Sequence, residues 1–426
     1  MRSTSPSRRT PDALGPLMLA GRGVTVFVTG LAMWLAARLI GSPGLEVVAI
    51  GIAALPLLAA YAAKRGARRI LVRRRLSEVR VTPGSRVTVT LDLENRSPIA
   101  TSFLLLEDRL PTPLGRAARL VIGAIQEGVH EQATYTLVPQ SRGRYLLGPL
   151  VVDVSDPFAL TRLRLEFPER DELLVTPEVE DLGAAPDPSS GPSFGASRAR
   201  QLFRTGEEYY TMRQYQEGDD LRRIHWPSVA RTGELMIRQD ESSRRASGLV
   251  FFDTRAAGLG RTHTPAFERG VSVAASVGVL LARHGFVLRL GTTDLPAAAL
   301  SEERFLDALT GISHAEVRSI GPALAHMRAG SSPDTSLVFV SAPPVPAELG
   351  SLIRAGAGFG QKLAVLIYPT DPNRLPPERQ AQLEGRASQA RLSLARSGWD
   401  VIVLPPSMRL QERWHTPLER PLARIV

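Results

Sequence analysis

The chain has 426 residues, 43% of them hydrophobic, no cysteine and a formal net charge of +10. That length exceeds one ordinary domain and the apolar fraction is enough for real cores, while the missing cysteine excludes disulfides, thiolate nucleophiles and cysteine-ligated zinc. The charge argues against a nucleic-acid surface on the body of the protein: residues 1–80 hold thirteen of the 52 basic and three of the 42 acidic residues, leaving 39 of each sign beyond them.

Residues 1–22 read as a basic tail. They are followed at 23–63 by two apolar runs, "GVTVFVTGLAMWLAARLI" and "LEVVAIGIAALPLLAAYAA", joined by "GSPG". Each run has about the 20 residues needed to cross a hydrocarbon core. Arg38 and Glu46 sit beside the turn, where long side chains snorkel. Arg2, Arg8, Arg9 and Arg22 precede the pair, and Lys64, Arg65, Arg68, Arg69 and Arg73 to Arg75 follow it, so 64–80 reads as a basic juxtamembrane linker. By the positive-inside rule both flanks face the cytoplasm, which makes the expected location the cell membrane with cytoplasmic soluble domains and lipid as a partner. A buried helical pair and a cleaved signal peptide are the alternatives, and the double apolar run with its basic flanks outweighs both.

From 81 to 179 the pattern changes to period two. Val87, Val89, Leu91 and Leu93 alternate with polar residues, and further short strands at 102–106, 132–138, 144–154, 160–167 and 172–175 give an antiparallel, sandwich-like domain. Residues 180–202 are rich in Pro, Gly, Ser and Ala and read as a flexible loop. Over 246–426, near-continuous apolar runs at 248–254, 286–291, 336–342, 362–368 and 400–406 alternate with helical stretches, the pattern of a parallel sheet covered on both faces. Ligands in such folds sit at the carboxyl ends of the strands, which singles out Asp253, Thr254 and Arg255.

Between loop and sheet, 203–245 contains "EYYTMRQYQEGDDLRRIHWPSVAR". Gly218 permits a tight turn, and Asp219 or Asp220 can cap a short helix through "LRRIHW". Tyr209, Tyr215 and Trp226 offer faces for arginine stacking, and Arg213, Arg222, Arg223 and Arg231 surround the two adjacent carboxylates. In order, Glu208, Arg213, Tyr215, Gly218, Asp219, Asp220, Arg222 or Arg223, Ile224, His225, Trp226, Ala230 and Arg231 resemble the signature of the bacterial domain of unknown function 58 family, E-F-x-x-x-R-x-Y, G-D-D, R-x-I-[DH]-W and A-R. The resemblance extends to the two-helix anchor, to "RGRYLLGPLVVDVSDPFAL" at 142–160 and to the α/β segment. It implies a membrane-anchored α+β multidomain protein ending in a von Willebrand factor A-like domain. It also implies association with MoxR-type AAA+ ATPases and transglutaminase-like membrane proteins.

The chain departs from that pattern where a metal would bind. A metal-ion-dependent adhesion site needs D-x-S-x-S, whereas this chain reads Asp253, Thr254, Arg255, Ala256, Ala257, and Ser341 stands where an aspartate is expected. A hard cation wants several oxygen ligands, so no metal and no cofactor are expected. A hydrolase-like site using Asp219, Asp220 and His225 is the enzymatic alternative. It lacks a nucleophile elbow, a P-loop and a zinc motif, and nearby arginines suit ion pairs better than acid catalysis. The expected function is therefore a non-catalytic scaffold or adaptor for cell-envelope assembly. The signature segment serves it as a brace, a docking face or both.

Overall fold

The computed structural model describes residues 13–67, 69–98, 100–101, 103–155, 158–183, 210–216, 220–221, 224–240 and 246–414, with only the backbone at 13–18, 66–67, 210–213 and 238–240. The chain divides into two compact units, Met1–Thr176 and Pro177–Val426.

In the first unit β1 (Ala13–Leu19) leads into α1 (Gly21–Ile40), and α2 (Pro43–Ala67) returns antiparallel to it. Both helices are long and apolar enough to cross a membrane, with mean hydropathy 1.7 and 2.0 over their central windows. They meet through small residues. Gly23, Gly30 and Ala37, seven apart, are the buried positions of α1; Gly23 lies against Leu160 outside the pair, whereas a Cβ on Gly30 would lie 2.6 Å from the Ala53 nitrogen of α2. Without a hydrophobic drive between helices in lipid, such close backbone approach is what holds a pair together.

After α2 the chain enters β2 (Ile70–Leu76), β3 (Arg80–Val81), β4 (Val87–Asn95), β5 (Leu104–Asp108), β6 (Ala118–Ile122), β7 (His130–Leu137), β8 (Gly143–Leu147), β9 (Leu150–Ser155), β10 (Thr161–Phe167) and β11 (Asp171–Val175). They form sheets ordered β1-β10-β9-β5-β6, β2-β4-β7 and β3-β11-β8. All pairs are antiparallel except β3 with β11. The expected alternation holds in β4, where Val87, Val89, Leu91 and Leu93 are fully buried between half-exposed or exposed polar neighbours. Side chains from all three sheets share one core.

Two stretches differ from their sequence reading. Within the expected basic tail, 13–19 is a strand paired with β10. Within the expected juxtamembrane linker, 70–76 is a strand paired with β4. Arg74 therefore points into the β unit instead of toward lipid: its Nε and Nη2 bind Asp108 at 3.0 and 2.5 Å, and its Nη1 binds Asp171 at 2.8 Å and the Leu147 carbonyl at 3.1 Å. Burial opposes the Arg74 charge, but attraction and hydrogen bonds to Asp108 and Asp171 outweigh it and raise its pKa. The Tyr135 hydroxyl donates to Asp108 at 2.6 Å, and burial, reinforced by that carboxylate, pushes its pKa far up. Gly148, at φ 111°, leaves room for this cluster, since a Cβ there would meet the Glu169 carbonyl at 2.8 Å and the Arg74 guanidinium at 3.2 Å.

The second unit opens with a strap, 177–183, that straddles the expected boundary: the sequence reading gave 177–179 to the sandwich-like domain and 180–183 to the flexible loop. Ser272 and Ser276 bind the Glu178 carbonyl and the Glu180 amide at 2.9 and 2.8 Å, the Glu180 carboxylate takes Arg269 at 2.7 Å and the Gln411 amide at 2.8 Å, and Leu182 enters the core. Next come β12 (Tyr210–Gln214), α3 (Trp226–Thr232) and β13 (Met236–Asp240), with β12 and β13 forming a separate two-stranded sheet.

The α/β body follows: β14 (Ser247–Phe252), α4 (Ala256–Leu259), α5 (Pro265–Arg283), β15 (Val287–Thr292), β16 (Ala298–Leu300), α6 (Glu302–Gly311), α7 (Gly321–Ala329), β17 (Thr335–Ser341), α8 (Pro346–Gly356), β18 (Gln361–Ile367), α9 (Pro377–Arg396), β19 (Asp400–Leu404) and α10 (Leu410–Trp414). The sheet order is β16-β15-β14-β17-β18-β19. All its pairs are parallel except β15 with the short edge strand β16. Strand side chains alternate between two cores: Val250 and Phe252 pack with α5 and α6, Leu249 and Phe251 with α7, α8 and α9. α5 is also apolar enough for a span, yet 78% of its window is buried in this core.

Arg74→Ala should destabilise the first unit by about 3–5 kcal/mol, because it strands the fully buried Asp108 without its counter-charge. Arg73→Ala, on the half-buried neighbouring position, should stay within about 0.5 kcal/mol. Denaturant unfolding of the detergent-solubilised variants measures both, and equal effects would return the whole basic run to a lipid-flanking role.

Candidate functional site

β14 connects to β15 on one side and lies against β17 on the other, so the order reverses between β14 and β17. The crevice at the carboxyl ends of these two strands is the general ligand position of open α/β sheets. Two of the singled-out residues meet there: Asp253 follows β14 and Ser341 ends β17.

Asp253 is fully buried, and donors engage both of its oxygens. Oδ1 accepts from the Arg255 backbone amide at 3.2 Å and from Arg255 Nε at 2.9 Å. Oδ2 accepts from Arg255 Nη2 at 2.8 Å and from the Ser341 hydroxyl at 2.9 Å. Arg255 Nε also reaches Oδ2, at 3.2 Å, so these five contacts cover the about four acceptor sites that a carboxylate offers. The far side of the guanidinium meets Glu348 in the first turn of α8, with Nη1 to Oε1 at 2.5 Å and Nη2 to Oε2 at 3.3 Å. Burial works against the Arg255 charge, but the bonds to Asp253 and Glu348 overcome it and raise the pKa well above its ordinary value. Arg386 stands nearby with its Nε on the Pro344 carbonyl at 3.4 Å, and burial lowers its pKa against the pull of Glu348, with Arg255 adding repulsion.

Thr254 faces away from this pair. Its hydroxyl meets Thr293 at 2.5 Å and Asp294 at 3.1 Å, tying the end of β14 to the loop after β15. Among the described residues no three His, Cys, Asp or Glu side chains gather as a metal site. Glu348 and Arg386 were missed in the sequence reading, because their places in α8 and α9 near Asp253 follow from topology and not from spacing.

The signature segment is partly visible. Glu208, Tyr209, Gly218, Asp219, Arg222 and Arg223 lie outside the described residues, and Arg213 is seen only as backbone, opposite Ile237 in the β12–β13 pair. Tyr215 continues that pair through its amide to the Leu235 carbonyl at 2.8 Å, and Asp220 is exposed. Ile224 bridges to Ile237, which is buried. Leu221 lies in a 3-10 turn and its carbonyl accepts the Ile224 amide at 3.3 Å, and an α-helix follows from Trp226 with His225 at its N-cap. The His225 Nδ1 and Ser228 hydroxyl meet at 2.8 Å, three residues apart, and the Ser228 amide binds the His225 carbonyl at 2.9 Å. That is the geometry of a helix start. Pro227 follows in the first turn, where a missing N–H costs nothing.

Of the arginines expected to stack, Arg222 and Arg223 lie outside the described residues and Arg213 is described only as backbone, while Arg231 makes no ring contact among the described residues. Trp226 is 65% exposed, Ala230 and Arg231 are exposed, and Arg231 makes no ion pair among the described residues. Leu221 and Leu235, on the same small element, are 60% and 42% exposed.

Residues 211–397 match the family model described as "Protein of unknown function DUF58". The uncharacterised protein YeaD of Bacillus subtilis (strain 168) is 26% identical over 212 residues, 48% of this chain and 51% of that protein. The uncharacterised protein Rv1480 of Mycobacterium tuberculosis is 29% identical over 163 residues, 38% of this chain and 45% of the relative. The chain thus spans about half the length of the curated relatives it matches. Among solved structures, the alkylpurine DNA glycosylase AlkC of Pseudomonas fluorescens aligns at 12% identity over 26% of this chain and 36% of that one, with a TM-score of 0.16, too slight a likeness to inform fold or function.

Arg255→Ala should cost about 3–5 kcal/mol by leaving Asp253 buried and unpaired, and a double-mutant cycle with Asp253→Ala should return a coupling of about 0.5–3 kcal/mol. Because the carboxylate is already saturated, excess Mg2+ or a chelator should leave the thermal midpoint of the wild type unmoved. A rise in midpoint with Mg2+ would show that a cation competes with Arg255.

Proposed function

We propose that the chain is a non-catalytic, membrane-anchored scaffold or adaptor whose second unit binds protein partners during assembly or maturation of the cell envelope. On this reading α1 and α2 span the cell membrane and both units face the cytoplasm. The α/β body is of the von Willebrand factor A-like kind. The antiparallel edge strand beside five parallel ones, with an aspartate after the first, supports that assignment. A MoxR-type AAA+ ATPase is the proposed partner, with a transglutaminase-like membrane protein as a further one.

The observation that carries the docking role is the exposure of both Trp226 and Arg231 on α3, a helix with no buried residue. Large apolar rings and guanidinium groups are the side chains that dominate interface energetics, and here neither is consumed by an arginine stack or an ion pair within the described chain. The non-catalytic half of the reading is supported at the sheet crevice, where Asp253, Ser341 and Arg255 engage one another and Glu348 takes the remaining donors.

Binding of the detergent-solubilised protein to a purified MoxR-type ATPase from the same genome tests this. Trp226→Ala should weaken the complex by at least 2 kcal/mol, a factor of about 30 in Kd, and Arg231→Ala by less, with unfolding midpoints unchanged. Absence of any stable protein complex with the wild type would sink the adaptor reading, and equal binding by the variants would move the docking face elsewhere.

A further inference from the structure

The turn between β9 and β10 is built into the end of the apolar hairpin. Leu160, 4% exposed, uses its carbonyl to accept the Ala20 amide at 2.8 Å, one residue before α1 begins. Gly23, in the first turn of α1, lies so close that a Cβ would overlap the same carbonyl. α2 packs along β10 with β1 and β9 at its sides. The two helices are antiparallel, so the start of α1 and the end of α2 lie at one level, and this turn sits at that level.

The turn's side chains divide sharply. Leu160 enters the interior while Phe158, two residues earlier, is 66% exposed, and Ala159 between them adopts φ 54°, a left-handed conformation an alanine seldom takes. That conformation reverses the chain and turns the phenyl ring outward. Leu19, just before α1, is 38% exposed. Cations surround the position: Arg22 in the first turn of α1, Lys64 and Arg65 in the last turn of α2, and Arg162 two residues after Leu160. Arg22 and Arg162 are exposed and form no ion pair among the described residues. An exposed aromatic ring with exposed cations, at the level where an apolar helix begins, is the composition of a membrane–water interface.

We propose that the Phe158–Leu160 turn is a second membrane contact, separate from the spanning helices: the Phe158 ring inserts at the headgroup–acyl boundary of an anionic bilayer while Arg22 and Arg162 bind lipid phosphates. The contact rests on the reading of α1 and α2 as spanning helices. It seats the β1–β10 edge of the first unit on the lipid.

The absence of cysteine makes every introduced thiol unique. Full-length Phe158→Cys, Gly51→Cys and Arg86→Cys proteins carry an environment-sensitive fluorophore in phosphatidylcholine–phosphatidylglycerol nanodiscs with nitroxides placed at the headgroup or deep in the acyl chain. Gly51 lies midway along α2 with open space around it, and Arg86 precedes β4 at the end of β2 remote from α2, about 20 Å away at 3.3 Å per residue. Headgroup nitroxide should quench the label at 158 several-fold more than the label at 86, and Arg22→Glu with Arg162→Glu should reduce that difference in anionic discs only. Deep quenching at 51 with equal quenching at 158 and 86 overturns this contact alone. Absence of deep quenching at 51 overturns the spanning reading and this contact with it.

Discussion

A guanidinium taken out of water has to be met by anions, and at the carboxyl end of the parallel sheet that requirement fixes three elements at once. Arg255 comes from the loop after β14, its first carboxylate from the end of the same strand, and its second, Glu348, from the first turn of α8. Ser341 at the end of β17 joins through Asp253. Removing Asp253 or Arg255 leaves its partner's charge buried without its main compensation, which costs more than the net gain from the assembled set. The crevice that in open α/β sheets receives a ligand is here filled by the chain's own charges.

The same chemistry recurs in the first unit around Arg74, and there it explains a misreading. The run Ile70 to Leu76 carries three consecutive arginines after an apolar helix, and by charge alone it belongs with the lipid-facing flanks. In the fold Arg75 is exposed and pairs with Asp92 at 2.9 Å, while Arg74 turns inward to carboxylates 34 and 97 residues away. Alternation of a strand through a charged run is legible only if the distant partners are known. Nothing near Asp108 or Asp171 in the sequence announces them as partners of Arg74.

What was legible follows from how completely each element is buried. The five parallel strands are wrapped on both faces, so their apolar runs stood out and the structure places each within a few residues of its expected position. β16 was not legible: "AAL" is short, sits at an edge and is half-exposed to exposed, so it carries no apolar run. The strap at 177–183 was hidden for a related reason, since its grip on α5 and α10 comes from backbone groups, the Glu180 carboxylate and a single core leucine, Leu182, with no apolar run. In the signature segment the density of charge drew attention to the aspartates and arginines. The described part instead rests on Ile224 and Ile237 for its packing and on His225 for the start of α3, and the large hydrophobic side chain it leaves most exposed is the tryptophan.

The apolar hairpin is also less detached than its composition suggests. β1 ends at Leu19 and α1 begins at Gly21, while α2 ends at Ala67 and β2 begins at Ile70. Both flanking strands are hydrogen-bonded into the first unit, β1 to β10 and β2 to β4, so each end of the hairpin has at most two residues of slack. Two such short connections, together with the Ala20 to Leu160 bond, leave the β unit little freedom to swing about the helices. The tilt of the pair in a bilayer and the attitude of the β unit above it are therefore one variable. Small residues at the α1–α2 contact set that variable from one side, and the turn carrying Phe158 sets it from the other.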